Sequence, residues 1–401
     1  MLTRYKKDER GVNIPIATIY NQEEHDIQLG KVDVDAVWVV KKLTQNGHSA
    51  YIVGGAVRDL LLDKVPKDFD ITTSATPRQI HKLFYNARII GKRFKLVHLT
   101  FKDKIIEVST FRSGEENPKI PSDVYGTIEQ DAKRRDFTLN ALYYNPLDGH
   151  ILDFNDSMKD IRKGKVKSVL PLSESFIEDP VRMIRAVKYS VSTQFSLAFD
   201  IKRAIRRDAH HLNRISSSRI TEEVMKILAS GNSSRMIGTL QKYRLLIYIL
   251  PSISTHPNFE SVLRSLESLD ESIRSFSSSK GKKVISRSDM LYALVRALVT
   301  DVRDEAESER EFYQKIFLRV KEYIAPITPA NYDVEHAAAK IVKSFGIVVA
   351  SSWMKARKPI QRQVRNPKKG SGRKGRYPKI KGNAQPAQGR AKQHKHAPSS
   401  V

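Results

Sequence analysis

Residues 50–77 read AYIVGGAVRDLLLDKVPKDFDITTSATP, and this stretch decides the fold. Ala50–Tyr51–Ile52–Val53 is a short apolar run, the length of a buried strand. Gly54–Gly55 breaks it, and Ala56 to Leu62 reads as a helix. Phe69 to Thr73 is a second strand. Thr76–Pro77 then opens another helix, with Thr76 as N-cap and Pro77 in the first turn, where a missing N–H costs nothing. Ile80, Leu83 and Phe84 give that helix its apolar stripe.

The pattern extends in both directions. Ala36 to Thr44 has helical spacing at Val37, Val40 and Leu43, whereas residues 1 to about 33 are polar and weakly patterned. Leu96 to Lys102 and Lys104 to Phe111 read as strands. Ser113 to Gly126, rich in Gly, Pro and charge, reads as a mobile loop. Beyond about residue 175 the periodicity is helical, at Val181 to Tyr189, Ile220 to Leu228 and Ser234 to Ile249. Ser277 to Lys283 is expected as an exposed turn. Strands interleaved with helices, then helices alone, predict an α/β head on a helical body. The expected division is an N-terminal extension (1–34), a head (35–165), a neck (166–235), a body (236–354) and a basic tail (355–401).

Five short stretches carry candidate chemistry. Gly54–Gly55 lets backbone N–H groups approach a phosphate, and Arg58, one turn on, can add charge-assisted bonds. The same residues also suit a plain strand–helix turn. In Lys67–Asp68–Phe69–Asp70–Ile71–Thr72 strand alternation puts Asp68, Asp70 and Thr72 on one face. Two carboxylates there repel unless a cation lies between them, and a hard divalent ion with oxygen ligands, Mg²⁺ above all, resolves the conflict. An edge strand with its acids in water is the other reading. Glu107 is a lone carboxylate in Ile105–Phe111 and completes the acidic cluster if the two strands are neighbours. Within Arg134–Leu142, Arg135, Asp136 and Asn140 suit phosphate and sugar, or merely a capped helix start. In Glu178–Lys188, Asp179 and Pro180 open a helix on which Arg182, Arg185 and Lys188 share one face. Met183, Ile184 and Val187 take the other. A guanidinium with a carboxylate can read the edge of a base; a solvated basic face gives the same pattern.

Composition narrows the partner. The 401 residues are 40 % hydrophobic and 28 % charged, an ordinary globular balance, but the net charge is +26. Residues 355–401 hold 15 Lys and Arg and no Asp or Glu, which leaves +11 for residues 1–354. Such an excess favours a polyanion, with nucleic acid the leading candidate. The tail composition predicts disorder. With no cysteine, disulfides, zinc thiolates and cysteine nucleophiles are excluded. The first residues lack an apolar signal-peptide core and no segment reaches a membrane span, so a cytoplasmic protein is expected.

Taken together, VGGAVRD, KDFDITTSATP, EVSTFR, RRDFTLNAL and EDPVRMIRAV resemble the bacterial poly(A) polymerase and tRNA CCA-adding enzyme family, the class II branch of polymerase-β-like nucleotidyltransferases. The likeness runs from about residue 35 to 235. It implies an α+β fold: a polymerase-β-like head of mixed sheet and helices, then an all-helical neck and body and a disordered basic tail. It implies two-metal in-line nucleotidyl transfer to RNA 3′ ends, with Mg²⁺ at Asp68 and Asp70 and no template. Gly54, Gly55, Arg58, Arg135 and Asn140 would hold the nucleotide. Asp136 matches the third acidic position of poly(A) polymerases, and Glu107 is the other candidate for that role or a support to the acidic cluster. Asp179, Arg182 and Arg185 would read the base; Lys188 stands where CCA-adding enzymes usually carry arginine. Ile89 to Leu99, with Lys92, Arg93 and Lys95, looks like the poly(A) polymerase signature, and His98 is expected to be structural. The expected activity is therefore AMP addition from ATP to mRNA or small RNA. The alternatives are CCA addition to tRNA from CTP and ATP, and a non-catalytic RNA-binding protein on the same scaffold.

Overall fold

Val53 pairs with Asp70 on one side and Tyr143 on the other, and from that crossing a nine-stranded mixed sheet spreads both ways. A computed structural model describes residues 1–91, 96–102, 104–113, 125–278 and 285–356, with the backbone alone at 276–278. Lys92, Arg93 and Lys95 lie outside the described residues. So do most of the expected 113–126 loop, positions 279–283 of the expected turn, and the tail from 357.

The strands are β1 (Leu2–Lys7), β2 (Asn13–Tyr20), β3 (Ala50–Val53), β4 (Asp70–Thr73), β5 (Ala87–Ile90), β6 (Leu96–Thr100), β7 (Ile105–Thr110), β8 (Leu142–Asn145) and β9 (His150–Asp153). Their order is β1-β2-β9-β8-β3-β4-β7-β6-β5. β4 and β7 run parallel, while the other neighbours are antiparallel. A parallel pair needs a crossover. Here the Pro77–Leu83 helix and the β5–β6 hairpin supply it. The expected Thr76 N-cap is present and is half of a capping box: Thr76 Oγ1 accepts from the Gln79 N–H at 3.4 Å, and Gln79 Oε1 accepts from the Thr76 N–H at 2.8 Å.

Residues 1–20, weakly patterned in sequence, form a hairpin that extends the sheet through Thr18 opposite Asp153, Ile19 opposite Leu152 and Tyr20 opposite Ile151. β1 is exposed along its whole length, so it has no inward face and no alternation to read. Its turn is held by Asp8, whose side chain accepts from the Arg10 and Val12 N–H groups at 2.9 and 2.8 Å. RRDFTLNAL is not a helix start. Thr138–Asn140 is a single 3-10 turn, and Leu142 begins β8.

Beyond the sheet the described elements are almost entirely helical. The Val181–Thr193 helix buries Met183, Ile184, Ala186 and Val187 completely. Each large aliphatic side chain so buried contributes about 1.5–3 kcal/mol. Pro180, rather than Asp179, occupies its cap position, though the Asp179 carboxylate accepts from the Val181 N–H at 3.3 Å. The run expected as one helix over 234–249 is two, Ser233–Lys242 and Leu246–Ile249, broken where Arg244 takes φ +56°. One apolar core runs from Ile27 through the sheet into these helices as far as Ile347. Among the described residues no helix is long and apolar enough to cross a membrane.

Candidate active site

The site starts where β3 ends. Gly54 has φ +71° and ψ −134°, a conformation that side chains other than glycine's rarely adopt. A Cβ built on Gly54 would stand 3.9 Å from both Asp70 Oδ2 and Arg135 Nη1. Three segments well apart in sequence therefore meet at one backbone turn. Register explains the first approach, since Val53 faces Asp70 across the β3–β4 pair. The following helix, Gly55–Leu61, is short, and a Cβ on Gly55 would stand 3.3 Å from Arg58 Nη2. Gly55 thus leaves room for the Arg58 guanidinium to fold back over the turn.

Asp70 faces Glu107 in register on the parallel strand β7. Asp68 lies just before β4. Asp68, Asp70 and Glu107 all keep access to solvent, so the pair is not sealed in an apolar layer. Asp70 is nevertheless pushed up from 3.8 to about 6, first by burial and then by the Glu107 and Asp68 charges, with Arg135 opposing. His98, opposite Glu107 on β6, brings Nε2 to 3.2 Å from Glu107 Oε1, a cross-strand contact.

Arg135 is fixed from behind. It donates to Tyr143 Oη at 3.1 Å, Asn140 O at 3.3 Å and Asp131 Oδ2 at 3.0 Å. Asp131 is buried and also accepts from Tyr143 Oη and from Arg134 Nη2, both at 2.7 Å. Burial alone would raise Asp131, but Arg135 and Arg134 hold it below its ordinary value. Neither Asp131 nor Tyr143 stood out in the sequence. The Asp131–Arg134–Arg135 spacing of three and four was the available signal; the burial of Tyr143 was not readable.

Asp136 does not join the acidic cluster. Its Oδ1 accepts from the Phe137 N–H at 2.8 Å and from Asn140 Nδ2 at 3.3 Å, and its Oδ2 lies 2.7 Å from Arg185 Nη2. Asn140 Oδ1 in turn accepts from Arg58 Nη1 at 2.9 Å. Tyr189 lies under both arginines: Arg185 Nη2 donates to its hydroxyl at 2.9 Å, and the Arg58 guanidinium is 5.4 Å from its ring centre. Arg58, Asn140, Asp136, Arg185 and Tyr189 therefore form one chain from the glycine turn to the Val181–Thr193 helix.

Asp179 and Arg182 are held by neighbours of their own. Arg219 Nη2 donates to both Asp179 oxygens at 3.0 and 3.1 Å. Arg182 Nη1 donates to Ser175 O at 3.0 Å and Glu178 Oε2 at 2.7 Å. Lys188 pairs with Glu223 at 2.7 Å, which occupies its charge within the protein. Arg219 and Glu223 are further residues the sequence did not single out.

The chemistry of the donor set fits a hard cation. Among the described residues no three His, Cys, Asp or Glu side chains converge into a ready-made metal cage. Mg²⁺, however, is commonly held by one or two carboxylates together with substrate phosphates. Two solvent-accessible carboxylates beside a glycine turn and an arginine present that arrangement.

Residues 50–167 match the family model described as "Poly A polymerase head domain". Poly(A) polymerase I of Salmonella typhi is 39 % identical over 262 residues, covering 62 % of this chain and 56 % of that protein. The matched part of this chain is similar to poly(A) polymerases. Residues 194–256 match a second model, described as "Probable RNA and SrmB- binding site of polymerase A". The CCA-adding enzyme of Bacillus subtilis is 35 % identical over 219 residues, 54 % of this chain and 55 % of that protein. The chain thus spans little more than half the length of these curated relatives. The crystal structure of the Bacillus stearothermophilus CCA-adding enzyme in complex with CTP matches with a TM-score of 0.52 and 26 % identity, covering 78 % of this chain and 82 % of that one. The expected polymerase-β-like head with a helical continuation is therefore the fold this chain shares with that structure.

Proposed function

We propose that the chain is a template-independent nucleotidyltransferase that adds AMP from ATP to RNA 3′ ends. The observation that carries this reading is the meeting of Asp70, Gly54 and Arg135 at one turn, with Glu107 in register beside Asp70.

In this reading Asp68 and Asp70 hold Mg²⁺, with Glu107 supporting them. The bound ion would lower the pKa of the RNA 3′-hydroxyl and neutralise charge on the triphosphate. The backbone at Gly54 and Gly55 and the guanidinium of Arg58 hold the triphosphate, and Arg135 adds positive charge beside Asp70. The 3′-oxygen attacks the α-phosphorus; a P–O bond forms there as the bond to pyrophosphate breaks. Asp136 is a positioning residue, because it orients Arg185 and Asn140 instead of facing the acids. Asp179, Arg182 and Arg185 read the base in place of a template. The body offers positive charge for the RNA.

The greater identity to poly(A) polymerase, over a longer span, favours ATP alone as donor. The likeness to a CTP-bound CCA-adding enzyme keeps a second reading, CCA addition to tRNA. Supplying each nucleoside triphosphate singly, with oligo(A) and with tRNA lacking its terminus, separates them. Long tails from ATP alone on oligo(A) are expected; CTP incorporation restricted to the tRNA overturns the poly(A) reading. An Asp68→Ala, Asp70→Ala double variant that tails RNA at the wild-type rate overturns both.

A further inference from the structure

The helices Phe259–Ser278 and Arg287–Val295 border a groove of about 500 Å³ that also reaches Ser344. It is lined by Ser261, Arg264, Ser265, Ser268, Tyr292 and Arg296, together with Ala297 and Ser344. No carboxylate lines it. Arg264 and Arg296 have no ion-pair partner among the described residues. Glu260 and Glu267, on the same helix as Arg264, lie beyond ion-pair distance of it. This sets the groove apart from the neck, where Arg182, Arg185 and Lys188 each have an acid within 2.7 Å.

The groove is built, not a chance gathering of long side chains. Arg296 Nε donates to Ser265 Oγ at 2.8 Å. Ser265 is buried and its hydroxyl donates in turn to Ala293 O at 2.5 Å, so one edge of the guanidinium is anchored to the helix behind it. Arg264 Nη2 donates to Ser261 Oγ at 2.8 Å. A guanidinium has five N–H donors, and each of these arginines spends only one of them on a described side chain. Tyr292 lies beside the second, with the Arg296 guanidinium 5.7 Å from its ring centre.

We propose that this groove binds the phosphodiester backbone of single-stranded RNA, Arg264 and Arg296 each taking a phosphate and Tyr292 offering its ring to a base. Two unneutralised guanidiniums call for oxyanions, and serine hydroxyls add neutral donors. An aromatic face beside positive charge is the combination that binds single strands without regard to sequence. Free phosphate would use the arginines but not the ring. The inference rests on the reading of the chain as an RNA-modifying enzyme, and it adds a holding site outside the nucleotide cleft.

The test uses the full chain and an Arg264→Gln, Arg296→Gln double variant, with Arg264→Gln alone as a variant that leaves the Ser265 anchor intact. A control, Arg310→Gln with Lys321→Gln, removes the same charge from another exposed helix. Binding of a long oligo(A) is measured across ionic strengths. The groove variant should bind severalfold more weakly at low salt. The slope of log affinity against log salt should shrink by about 1.4, roughly 0.7 for each single-strand phosphate that the protein no longer neutralises. Arg264→Gln should show half of that slope change, and the control much less. Equal weakening in control and groove variants would overturn the proposal. So would inorganic phosphate that raises the melting temperature of the wild type alone while RNA binding stays unchanged. AMP transfer to a short primer should be unaffected by the groove variants. A chain with no transfer activity at all would refute the enzymatic reading while leaving the RNA-binding comparison to judge the groove.

Discussion

The acidic face of the head and the basic face of the neck manage charge in opposite ways. On the head, Asp68, Asp70 and Glu107 lie near one another, and the positive charge that opposes them at Asp70 is Arg135, which Asp131 already engages. On the neck, each notable charge has an opposite one beside it: Arg182 with Glu178, Arg185 with Asp136, Lys188 with Glu223, Asp179 with Arg219. The head is left electrostatically unfinished, and the divalent cation proposed above would add the missing positive charge. The neck is finished within the protein, where these ion pairs fix its side chains in place. A site that must hold a metal benefits from the first arrangement, and a site that must recognise a base edge benefits from the second.

The largest effect that would break this contrast is on catalysis. Asp70→Asn should abolish nucleotidyl transfer, by at least about 10²-fold on the scale of lost transition-state charge stabilisation, while the metal-free protein stays folded. Its stability should respond to pH in a defined sense. The folded-state pKa of Asp70, about 6, lies above the ordinary 3.8. Protonation therefore favours the fold: this contribution is complete below about pH 4 and is lost as pH rises through 6. Melting curves of wild type without metal should show that loss, Asp70→Asn should not, and Mg²⁺ with ATP should offset it in wild type alone.

Next in size is the support beneath Arg135. Asp131→Ala leaves the buried Arg135 and Tyr143 without their shared acceptor, and removing one partner of a buried pair costs about 3–5 kcal/mol. Urea unfolding should show a large loss, whereas Asp68→Ala should cost little. Asp131 is held below its ordinary pKa, so its contribution is present above about pH 4 and is lost as pH falls through the lowered value.

These two cases also mark what the sequence could reveal. The glycine turn, the Asp68–Asp70 pair and the helical face of Arg182, Arg185 and Lys188 are local, and local periodicity reads them. That Glu107 stands beside Asp70 is a fact of strand pairing, and parallel partners separated by a helix and a hairpin leave no short-range trace. Asp131 and Tyr143 were missed because a buried carboxylate with its donors is recognisable only once β8 lies against the preceding helix. Asp136 carries a family expectation of catalysis, and its ion pair with Arg185 is a long-range contact that the sequence did not show. β1 was unreadable for a simpler reason, since an edge strand exposed on both faces obeys no alternation.

A smaller effect sharpens the contrast from the neck side. Tyr189→Phe keeps the ring beside Arg58 and removes the hydroxyl that Arg185 donates to. One such bond is worth about 0.5–1.5 kcal/mol, so discrimination between ATP and CTP should weaken severalfold with little change in melting temperature. The smallest is Arg219→Gln. The Asp179–Arg219 pair is largely exposed on the arginine side, and exposed pairs contribute roughly 0–1 kcal/mol. Stability should barely move, while KM for ATP should change because Asp179 is freed.

The most direct measurement is the titration of the Asp70 carboxyl by NMR, with and without Mg²⁺ and ATP. Without them the account predicts a midpoint near 6, and with them a fall well below the ordinary range for a carboxylate. A midpoint near the ordinary 3.8 that ignores added Mg²⁺ and ATP would mean that the acidic face needs no cation, and would contradict the account at its base.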